Sequence, residues 1–312
     1  MTCVVGTDEA GYGPNLGPLV VAATAWRVDA PPEDAERALA VAAAEARRSD
    51  GRPLWADSKQ VLRGGSGFAA LETGALVGAT LAAGEPPAAW PALAAAVAAG
   101  PLDPAPEDCL LAALGLPLEA GSADVAALAS RVRERLAARG VALEAVRVRV
   151  VRPAAFNALL DRGLNKSDLL SQTTLDLAAS LCGQGRGPVV VWCDRHGGRR
   201  RYAGLVARHF GGTLVRALEE TAALSAYEVP EDGLRVEFSV GGEARMPVAL
   251  ASMTAKYVRE LAMRAFNAHW TARCPGLAAT AGYPVDAARW RRDATAAIER
   301  ERMAWDAVWR RV

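Results

Sequence analysis

Lysine and isoleucine are nearly missing from this sequence. Of the 36 basic residues among 312, only three are lysine, and the single isoleucine is Ile298. Arginine supplies the remaining positive charge, although its planar fork does not reproduce the compact, strongly hydrated ammonium of lysine. The three lysines, Lys59, Lys166 and Lys256, are therefore expected to mark sites that need an ammonium group.

The sequence also lacks the patterns that are typical of a disulfide framework and of a membrane span. The five cysteines form no CxxC pair, and their odd number does not suit a disulfide framework, so we expect a reducing cytoplasm. No basic start followed by an apolar region opens the chain, and Pro or Gly interrupts the uncharged runs, which predicts neither secretion nor membrane contact. Because the net charge is only +1, an anionic partner would have to meet a local basic patch.

Apolar runs separated by turns predict an α/β fold. Strands are expected at 2–7 and 18–27, joined by the turn TDEAGYGPNLGP, and at 146–150, where valine alternates with arginine. The run PVVVWCD at 188–194 is typical of a strand buried on both faces. Further elements are expected as helices at 154–162, 167–182, 199–209 and 248–270, a strand near 213–218 and a polar hairpin around 234–246. This order indicates a sheet of mixed direction flanked by helices.

The composition also divides the chain. Between residues 66 and 144 it shifts to Ala, Gly and Pro with helical pieces, which predicts an inserted Ala-rich helical subdomain. Residues 1–65 and 145–285 would then form the main α/β domain. The segment 286–312, with tryptophans among many arginines, is expected to be a helical C-terminal extension.

Acidic residues end two of the predicted strands. Asp8 and Glu9 follow the first strand, and Asp194 ends the run at 188–194. Since ligand sites of α/β sheets lie outside the carboxyl ends of strands, Asp8 and Asp194 would face each other if their strands are neighbours. Carboxylates about 5 Å apart repel unless a cation lies between them, and Mg²⁺ combines carboxylates with phosphate oxygens. The group therefore indicates phosphoryl chemistry, although each aspartate alone is more simply explained as a turn former or helix cap.

The last long helix carries a polar stripe. Ser252, Lys256 and Glu260 recur at i, i+4 and i+8, which places them along one face. Lysine N-terminal to glutamate is the weaker orientation of a helical ion pair, so stabilisation alone explains the stripe poorly. A surface Lys–Glu pair remains the alternative to a functional role.

Five segments resemble type 2 ribonuclease H, the ribonuclease HII family. The opening TDEAGYGPNLGPLVVAA resembles the family's D-E-A-G-R-G-P start, and ADSK at 56–59 resembles its D-S-K-K segment. Three further segments resemble family helices and the strand that ends in an acidic residue: FNALLDRGLNKSDLLSQTTLDLAASL, VVVWCD and ASMTAKYVRELAM. The match covers about 1–65 and 145–285, and it leaves out the insert and the tail.

The resemblance implies a ribonuclease H-like fold and a metal-dependent endonuclease that uses Mg²⁺ or Mn²⁺. The metal-binding and catalytic carboxylates would be Asp8, Glu9, Asp194 and Glu260, the last standing where the family has aspartate. The implied substrate is the RNA strand of RNA–DNA hybrids, or ribonucleotides embedded in duplex DNA. Two alternatives stay open: a related nuclease for another nucleic-acid structure, and a nucleic-acid-binding protein that does not cut.

The resemblance also implies contacts with the substrate. The turn Gly11-Tyr12-Gly13 would approach the ribose 2′-hydroxyl, with Tyr12 in place of the family's arginine and able to stack instead. Tyr283 would pack on a sugar, or it is simply a core tyrosine.

Cationic side chains are expected along the phosphates. Lys59 and Lys256 would neutralise substrate phosphates, and Lys166 would do so more remotely. Arg195, which opens the arginine-rich RHGGRRRY, would contact backbone phosphates. For each of these cations the alternative is a solvated surface.

Overall fold

The structure is a computed structural model that describes residues 1–62, 67–183, 187–211 and 214–311. Within these residues a mixed sheet of seven strands has the order β3-β2-β1-β4-β7-β6-β5. The strands are β1 Thr2–Ala10, β2 Leu19–Val28, β3 Val141–Val151, β4 Val189–Asp194, β5 Arg216–Glu220, β6 Leu224–Val229 and β7 Leu234–Ser239. The chain therefore has the mixed α/β sheet that the sequence predicts.

Helices flank this sheet on both sides. In chain order they are α1 Pro32–Glu45, α2 Ser58–Leu62, α3 Gly67–Ala83, α4 Trp90–Val97, α5 Asp108–Ala112, α6 Ser122–Ala137, α7 Pro153–Asp161, α8 Lys166–Leu181, α9 Ala203–Phe210, α10 Met246–Arg273 and α11 Pro284–Arg300. Short 3-10 helices lie at Pro230–Asp232, Gly242–Ala244 and Trp305–Ala307. Of the helices in the described ranges, none is both long enough and apolar enough to cross a bilayer.

Different helices cover the two faces of the sheet. Val20 and Ala22 of β2 belong to an apolar cluster that includes residues of α1, α3, α6 and α10. Val21 and Ala23 belong to a second cluster, with residues of α7, α8 and α9. Because successive side chains of a strand point to opposite faces, a strand covered on both sides must be apolar throughout. This explains the unbroken apolar runs of the sequence.

The residues of the predicted insert pack on the main sheet. Leu71 of α3 and Val132 of α6 lie in the same cluster as Leu250 of α10. The buried carboxylate of Glu72 accepts hydrogen bonds from the Tyr257 hydroxyl at 2.7 Å and from three backbone N–H groups of residues 118–120. The predicted boundary between residues 65 and 66 lies outside the described residues, and the division into subdomains stays a prediction.

Two local predictions are wrong. The turn expected after residue 7 begins later, because β1 continues to Ala10 and holds Asp8 and Glu9 within the strand. The hairpin expected around 234–246 is instead formed by β6 and β7, with its turn at Gly233, whose φ of 57° favours glycine. The residues after β7 coil into the 3-10 helix Gly242–Ala244 rather than forming a second strand.

Candidate active site

The two acidic strand ends lie side by side. Strands β1 and β4 are parallel neighbours, with Thr7 opposite Cys193, so Asp8 and Asp194 are the next positions of the two strands in the same direction. Parallel strands bring their carboxyl ends to one edge of a sheet. The neighbouring strands that the sequence analysis assumed are therefore present.

Hydrogen bonds fix the carboxylates at this edge. One oxygen of Asp8 accepts the backbone N–H of Glu9 at 2.8 Å. The Oδ1 atom of Asp194 accepts the backbone N–H of Gly242 at 3.0 Å, which joins the end of β4 to the 3-10 helix Gly242–Ala244. This contact brings Glu243, the next residue along the chain, to the same edge.

These side chains surround one cavity of about 220 Å³. It opens where β1, β4, the 3-10 helix, α2 and α10 meet. Its lining residues are Asp8, Glu9, Ala10, Gly11, Tyr12, Gly13, Ser58, Lys59, Asp194, Glu243, Ser252, Lys256 and Tyr283. Four carboxylates from three separate segments thus converge with two of the three lysines of the chain.

The carboxylates of the cavity perturb one another. Burial, followed by the charges of Glu9 and Asp194, raises the pKa of Asp8 well above its usual value. Burial and then Asp194 raise the pKa of Glu9 to about 7, although Lys59 acts in the opposite direction. Burial also raises the pKa of Asp194, and burial with the charge of Asp194 raises the pKa of Glu243. The site therefore concentrates negative charge that a cation would stabilise.

The sequence predicts Glu260 as the fourth carboxylate, but the residues that line the cavity include Glu243 and not Glu260. Ser252 and Lys256 of α10 line the cavity, but Glu260 lies one turn beyond Lys256 and pairs with its ammonium at 2.8 Å. A helix rises about 1.5 Å per residue, so Glu260 is about 12 Å along the axis from Ser252. The only sequence signal for Glu243 is a single acidic residue in the short GGEARMP segment just before α10, which does not by itself indicate a site.

The lysines occupy three different settings. Lys59 of α2 is 78% exposed and its ammonium lies 3.9 Å from a carboxylate oxygen of Glu243. Lys256 lines the cavity and is tied to Glu260. Lys166, at the first turn of α8, lies outside the cavity lining, with its ammonium 4.3 Å from the ring centroid of Tyr12.

The glycine turn forms one wall of the cavity. Gly11 has a φ of 86°, and a Cβ atom added there would lie 2.5 Å from Nε of Arg259, so only glycine fits without strain. Gly13 has an ordinary φ, and a Cβ atom there would meet its nearest heavy atom, Cε1 of Tyr283, at 3.8 Å. Tyr283 is 51% exposed, so it is a surface residue at the rim and not a core tyrosine.

Arg195, like Lys166, is a predicted contact residue that does not line the cavity. Its guanidinium donates hydrogen bonds to the carbonyl of Thr221 at 3.0 Å and to Oγ of Ser225 at 3.2 Å. It therefore holds the β5–β6 connection against the end of β4. A phosphate contact from Arg195 remains a prediction.

The donor chemistry of the cavity suits a hard divalent cation. All four acidic groups offer carboxylate oxygens, which Mg²⁺ and Mn²⁺ prefer, and their raised pKa values show that the site disfavours uncompensated negative charge. Across residues 1–62, 67–183, 187–211 and 214–311, however, no three acidic, cysteine or histidine side chains lie close enough to form a ready-made ligand set. The carboxylates fit the ion in type and charge, and their side chains would have to draw together around it.

No protein-family model and no curated protein matches the chain, but several solved structures are similar to it. The chain is similar to ribonuclease HII from Archaeoglobus fulgidus, solved as a complex with PCNA, at 15% identity and a TM-score of 0.44 over 98% of this chain and 93% of that one. For ribonuclease H2 from Pyrococcus horikoshii OT3 the identity is 15%, the TM-score 0.44 and the coverage 98% and 92%. For Bst-RNase HIII in complex with Mn²⁺ the identity is 14% and the TM-score 0.44, over 99% of this chain and 66% of that one. These three solved structures are those of a ribonuclease HII, a ribonuclease H2 and a ribonuclease HIII.

Proposed function

We propose that the protein is a divalent-metal-dependent endonuclease that hydrolyses phosphodiester bonds of nucleic acid. Its substrate is the RNA strand of RNA–DNA hybrids, or single ribonucleotides embedded in duplex DNA. The observation that carries this proposal is the convergence of Asp8, Glu9, Asp194 and Glu243 on one cavity that also holds Lys59 and Lys256. Acidic groups for a metal and ammonium groups for phosphate are the two requirements of metal-assisted phosphodiester hydrolysis.

The acidic residues would hold the metal. Asp8 lies at the centre of the group, since the charges of Glu9, Asp194 and Glu243 all act on its pKa. The chemistry that bound divalent ions supply is activation of water for in-line attack and stabilisation of the leaving oxygen. The backbone N–H of Gly242 keeps Asp194 in place for this task through its 3.0 Å hydrogen bond.

The cations and the glycine turn would position the nucleic acid. Lys59 is mostly exposed beside Glu243, so it can reach a phosphate that approaches from solvent. Lys256 is oriented by Glu260, which gives that carboxylate a supporting role. The turn Gly11-Tyr12-Gly13 lines the cavity, so its backbone would approach a sugar of the substrate, and the 2′-hydroxyl is the group that distinguishes RNA from DNA. The proposal attributes selectivity for ribonucleotides to this turn, which forms one wall of the cavity.

Cleavage of defined duplexes tests the proposal. The purified protein is incubated with Mg²⁺ or Mn²⁺ and end-labelled RNA–DNA hybrid, DNA duplex with one embedded ribonucleotide, or all-DNA duplex. We expect cleavage of one or both ribonucleotide-containing substrates, with loss of activity in EDTA and recovery when the metal is added back. Equal cleavage of the all-DNA duplex would indicate another nucleic-acid substrate, and binding of every duplex without cleavage would indicate a binding protein.

A matched pair of glutamates tests the site itself. Glu243→Gln should abolish cleavage, because it removes a carboxylate from the cavity. Glu260→Gln should leave most of the cleavage, because Glu260 lies outside the cavity and acts only through Lys256. Loss of activity in the Glu260 variant together with full activity in the Glu243 variant would contradict this assignment and restore the choice made from sequence.

A further inference from the structure

Tyr12 and Lys166 form a contact that the proposed chemistry does not explain. The ammonium of Lys166 lies over the Tyr12 ring, 4.3 Å from its centroid, well within the range of about 6 Å for a cation–π interaction. Tyr12 lines the cavity of carboxylates, whereas Lys166 comes from the first turn of α8. The contact therefore attaches a lysine from a separate helix to the wall of the candidate active site.

The Tyr12 ring is held from several sides. It packs against the apolar cluster between the sheet and α8, and a Cβ atom at Gly197 would lie 3.6 Å from its hydroxyl oxygen. Burial and then the charge of Glu9 raise the pKa of the Tyr12 hydroxyl, while Arg199 and Ser167, the residue next to Lys166, act to lower it. A base could stack on Tyr12 only by displacing the ammonium or the apolar contacts. The stacking role considered from the sequence is therefore disfavoured by this geometry.

Lys166 differs from the other two lysines in its counter-charges. Lys59 lies 3.9 Å from Glu243, and Lys256 lies 2.8 Å from Glu260. For Lys166, the part of the chain that the structure describes provides no carboxylate oxygen within 4.0 Å. Burial first, and then the positive charge of Arg310, lower its pKa. An anion at this position would supply the missing partner.

Lysine is also rare enough for its placement to be informative. The chain uses arginine for almost all its positive charge, yet two of its three lysines line this cavity and the third lies on a residue that does. A compact ammonium can rest on a ring face and still present N–H donors to an oxygen anion, which a planar guanidinium stacked on the ring does less easily.

We infer that Tyr12 and Lys166 act as one unit, in which the ring holds the ammonium against a backbone phosphate of the bound nucleic acid. This inference rests on the proposed function and extends it, since it assigns a phosphate-binding position beside the metal-binding carboxylates. The role of Tyr12 is then to position Lys166, and Lys166 contacts the substrate. Binding through such a contact weakens with salt, because each neutralised phosphate releases counterions.

A double-mutant cycle in binding tests the unit. Dissociation constants for a fluorescent RNA–DNA hybrid are measured by anisotropy in EDTA, at several salt concentrations, for wild type, Tyr12→Leu, Lys166→Met and the double variant. We expect each single variant to weaken binding about five- to tenfold near 0.1 M salt and to lower the salt slope by about one, as for one lost phosphate contact. The double variant should be no weaker than either single variant. Tyr12→Phe, which keeps the ring face, should bind like wild type.

Lysine labelling gives a second readout that needs no nucleic acid. With only three lysines, acetylation by an N-hydroxysuccinimide ester can be assigned to each residue by mass spectrometry. Lys166 should react faster in Tyr12→Leu than in wild type or Tyr12→Phe, with exposed Lys59 as the internal reference. Added hybrid should protect Lys166 in the wild type.

The outcomes separate the inference from the proposed function. Loss of binding in Tyr12→Leu without loss in Lys166→Met would show a stacking tyrosine and overturn the inference, as would additive losses or unchanged binding in all variants. If the wild type cuts a ribonucleotide-containing duplex while the cycle is additive, only the unit fails. If binding follows the expected cycle but no duplex is cut with Mg²⁺ or Mn²⁺, the nuclease proposal fails and the phosphate-binding unit stands. A wild type that binds no duplex at all would overturn both.

Discussion

The guanidinium of Arg310 donates a hydrogen bond of 2.7 Å to the carbonyl oxygen of Gly11, although the two residues lie 299 positions apart in the chain. The same side chain is fully buried and also donates to the carbonyl of Pro14. The backbones of Arg310 and Asn15 are joined as well, by an N–H to carbonyl bond of 2.7 Å, and the Asn15 side chain donates to the Arg310 carbonyl at 3.1 Å. The C-terminal segment therefore supports the glycine turn from behind the cavity.

We expect Arg310→Ala to destabilise the protein by about 1–3 kcal/mol, since it leaves the buried carbonyl oxygen of Pro14 and the partly buried one of Gly11 without this donor. The neighbouring Arg311 provides the matched control. Its side chain is 45% exposed and pairs with Asp161 at 2.7 Å, so Arg311→Ala should leave stability close to that of the wild type. Urea unfolding of both variants measures the difference, and equal losses would show that the buried contacts do not stabilise the turn.

The two glycines that flank Tyr12 should respond differently to alanine. Gly11→Ala places a Cβ atom 2.5 Å from Arg259 and 2.6 Å from the carbonyl oxygen of Pro18, at a φ of 86°. We expect a loss of more than about 1 kcal/mol in unfolding free energy, because both the backbone strain and the close contacts must be relieved. Gly13→Ala meets its nearest atom at 3.8 Å with an ordinary φ, so its stability should stay close to wild type. Comparable destabilisation in both variants would contradict the geometry of the turn.

Local patterns were enough to predict the centre of the site. Asp8 and Asp194 each end a strand whose apolar run is visible in the sequence, and the pairing of β1 with β4 brings them to one edge. The mixed sheet followed from the same runs, because strands buried on both faces leave an unbroken apolar pattern. In each strand the apolar run and the aspartate that ends it lie within a few residues of one another, so a local pattern is enough to predict them.

Glu243 could not be chosen from its local pattern, because nothing in the sequence states that residue 242 returns to the end of β4. That return depends on the hydrogen bond between Gly242 and Asp194 and on the φ of 72° at Gly241. The helical stripe that includes Glu260 was a stronger local signal, yet it identifies a face of α10 and not how far along that face the cavity extends. The contact between Arg310 and Gly11 is harder still to predict, since the two residues lie 299 positions apart and no local pattern links them.

A buried histidine far from the cavity should make the fold sensitive to acid. His269 of α10 is 3% exposed, and neither of its ring nitrogens has a hydrogen-bond partner among the described residues. Burial, followed by the charge of Arg273, lowers its pKa below the usual 6.5, while Glu301 acts weakly in the other direction. The unfolded chain therefore binds this proton more readily than the native one, so the contribution to stability is present above pH 6.5 and is lost as the pH falls below it.

Unfolding free energies of wild type and His269→Phe, measured at pH 7.5 and pH 5, test this expectation. The wild type should lose more stability than the variant on acidification. The comparison between variants is needed because the cavity carboxylates, whose pKa values are raised, gain protons in the native state over the same range and act with the opposite sign. An identical loss in both proteins would show that His269 does not contribute.

Removal of one cavity carboxylate should stabilise the metal-free protein while it abolishes the response to metal. In EDTA at pH 8, Asp8→Asn relieves the burial of a charged carboxylate and its repulsion from Glu9 and Asp194, and we expect it to raise the unfolding free energy. Mn²⁺ at about 100 times its dissociation constant should stabilise the wild type by about 2.7 kcal/mol. Mn²⁺ should stabilise Asp8→Asn much less, because the variant lacks one of the carboxylates that would bind the ion. Thermal or urea unfolding with and without Mn²⁺ measures both effects independently of cleavage.

Asp176→Asn, which alters an aspartate on α8 that pairs with His209, is the control and should keep the full response to Mn²⁺. If Mn²⁺ stabilised Asp8→Asn as strongly as the wild type, the ion would bind elsewhere and the assignment of this cavity as the metal site would be wrong.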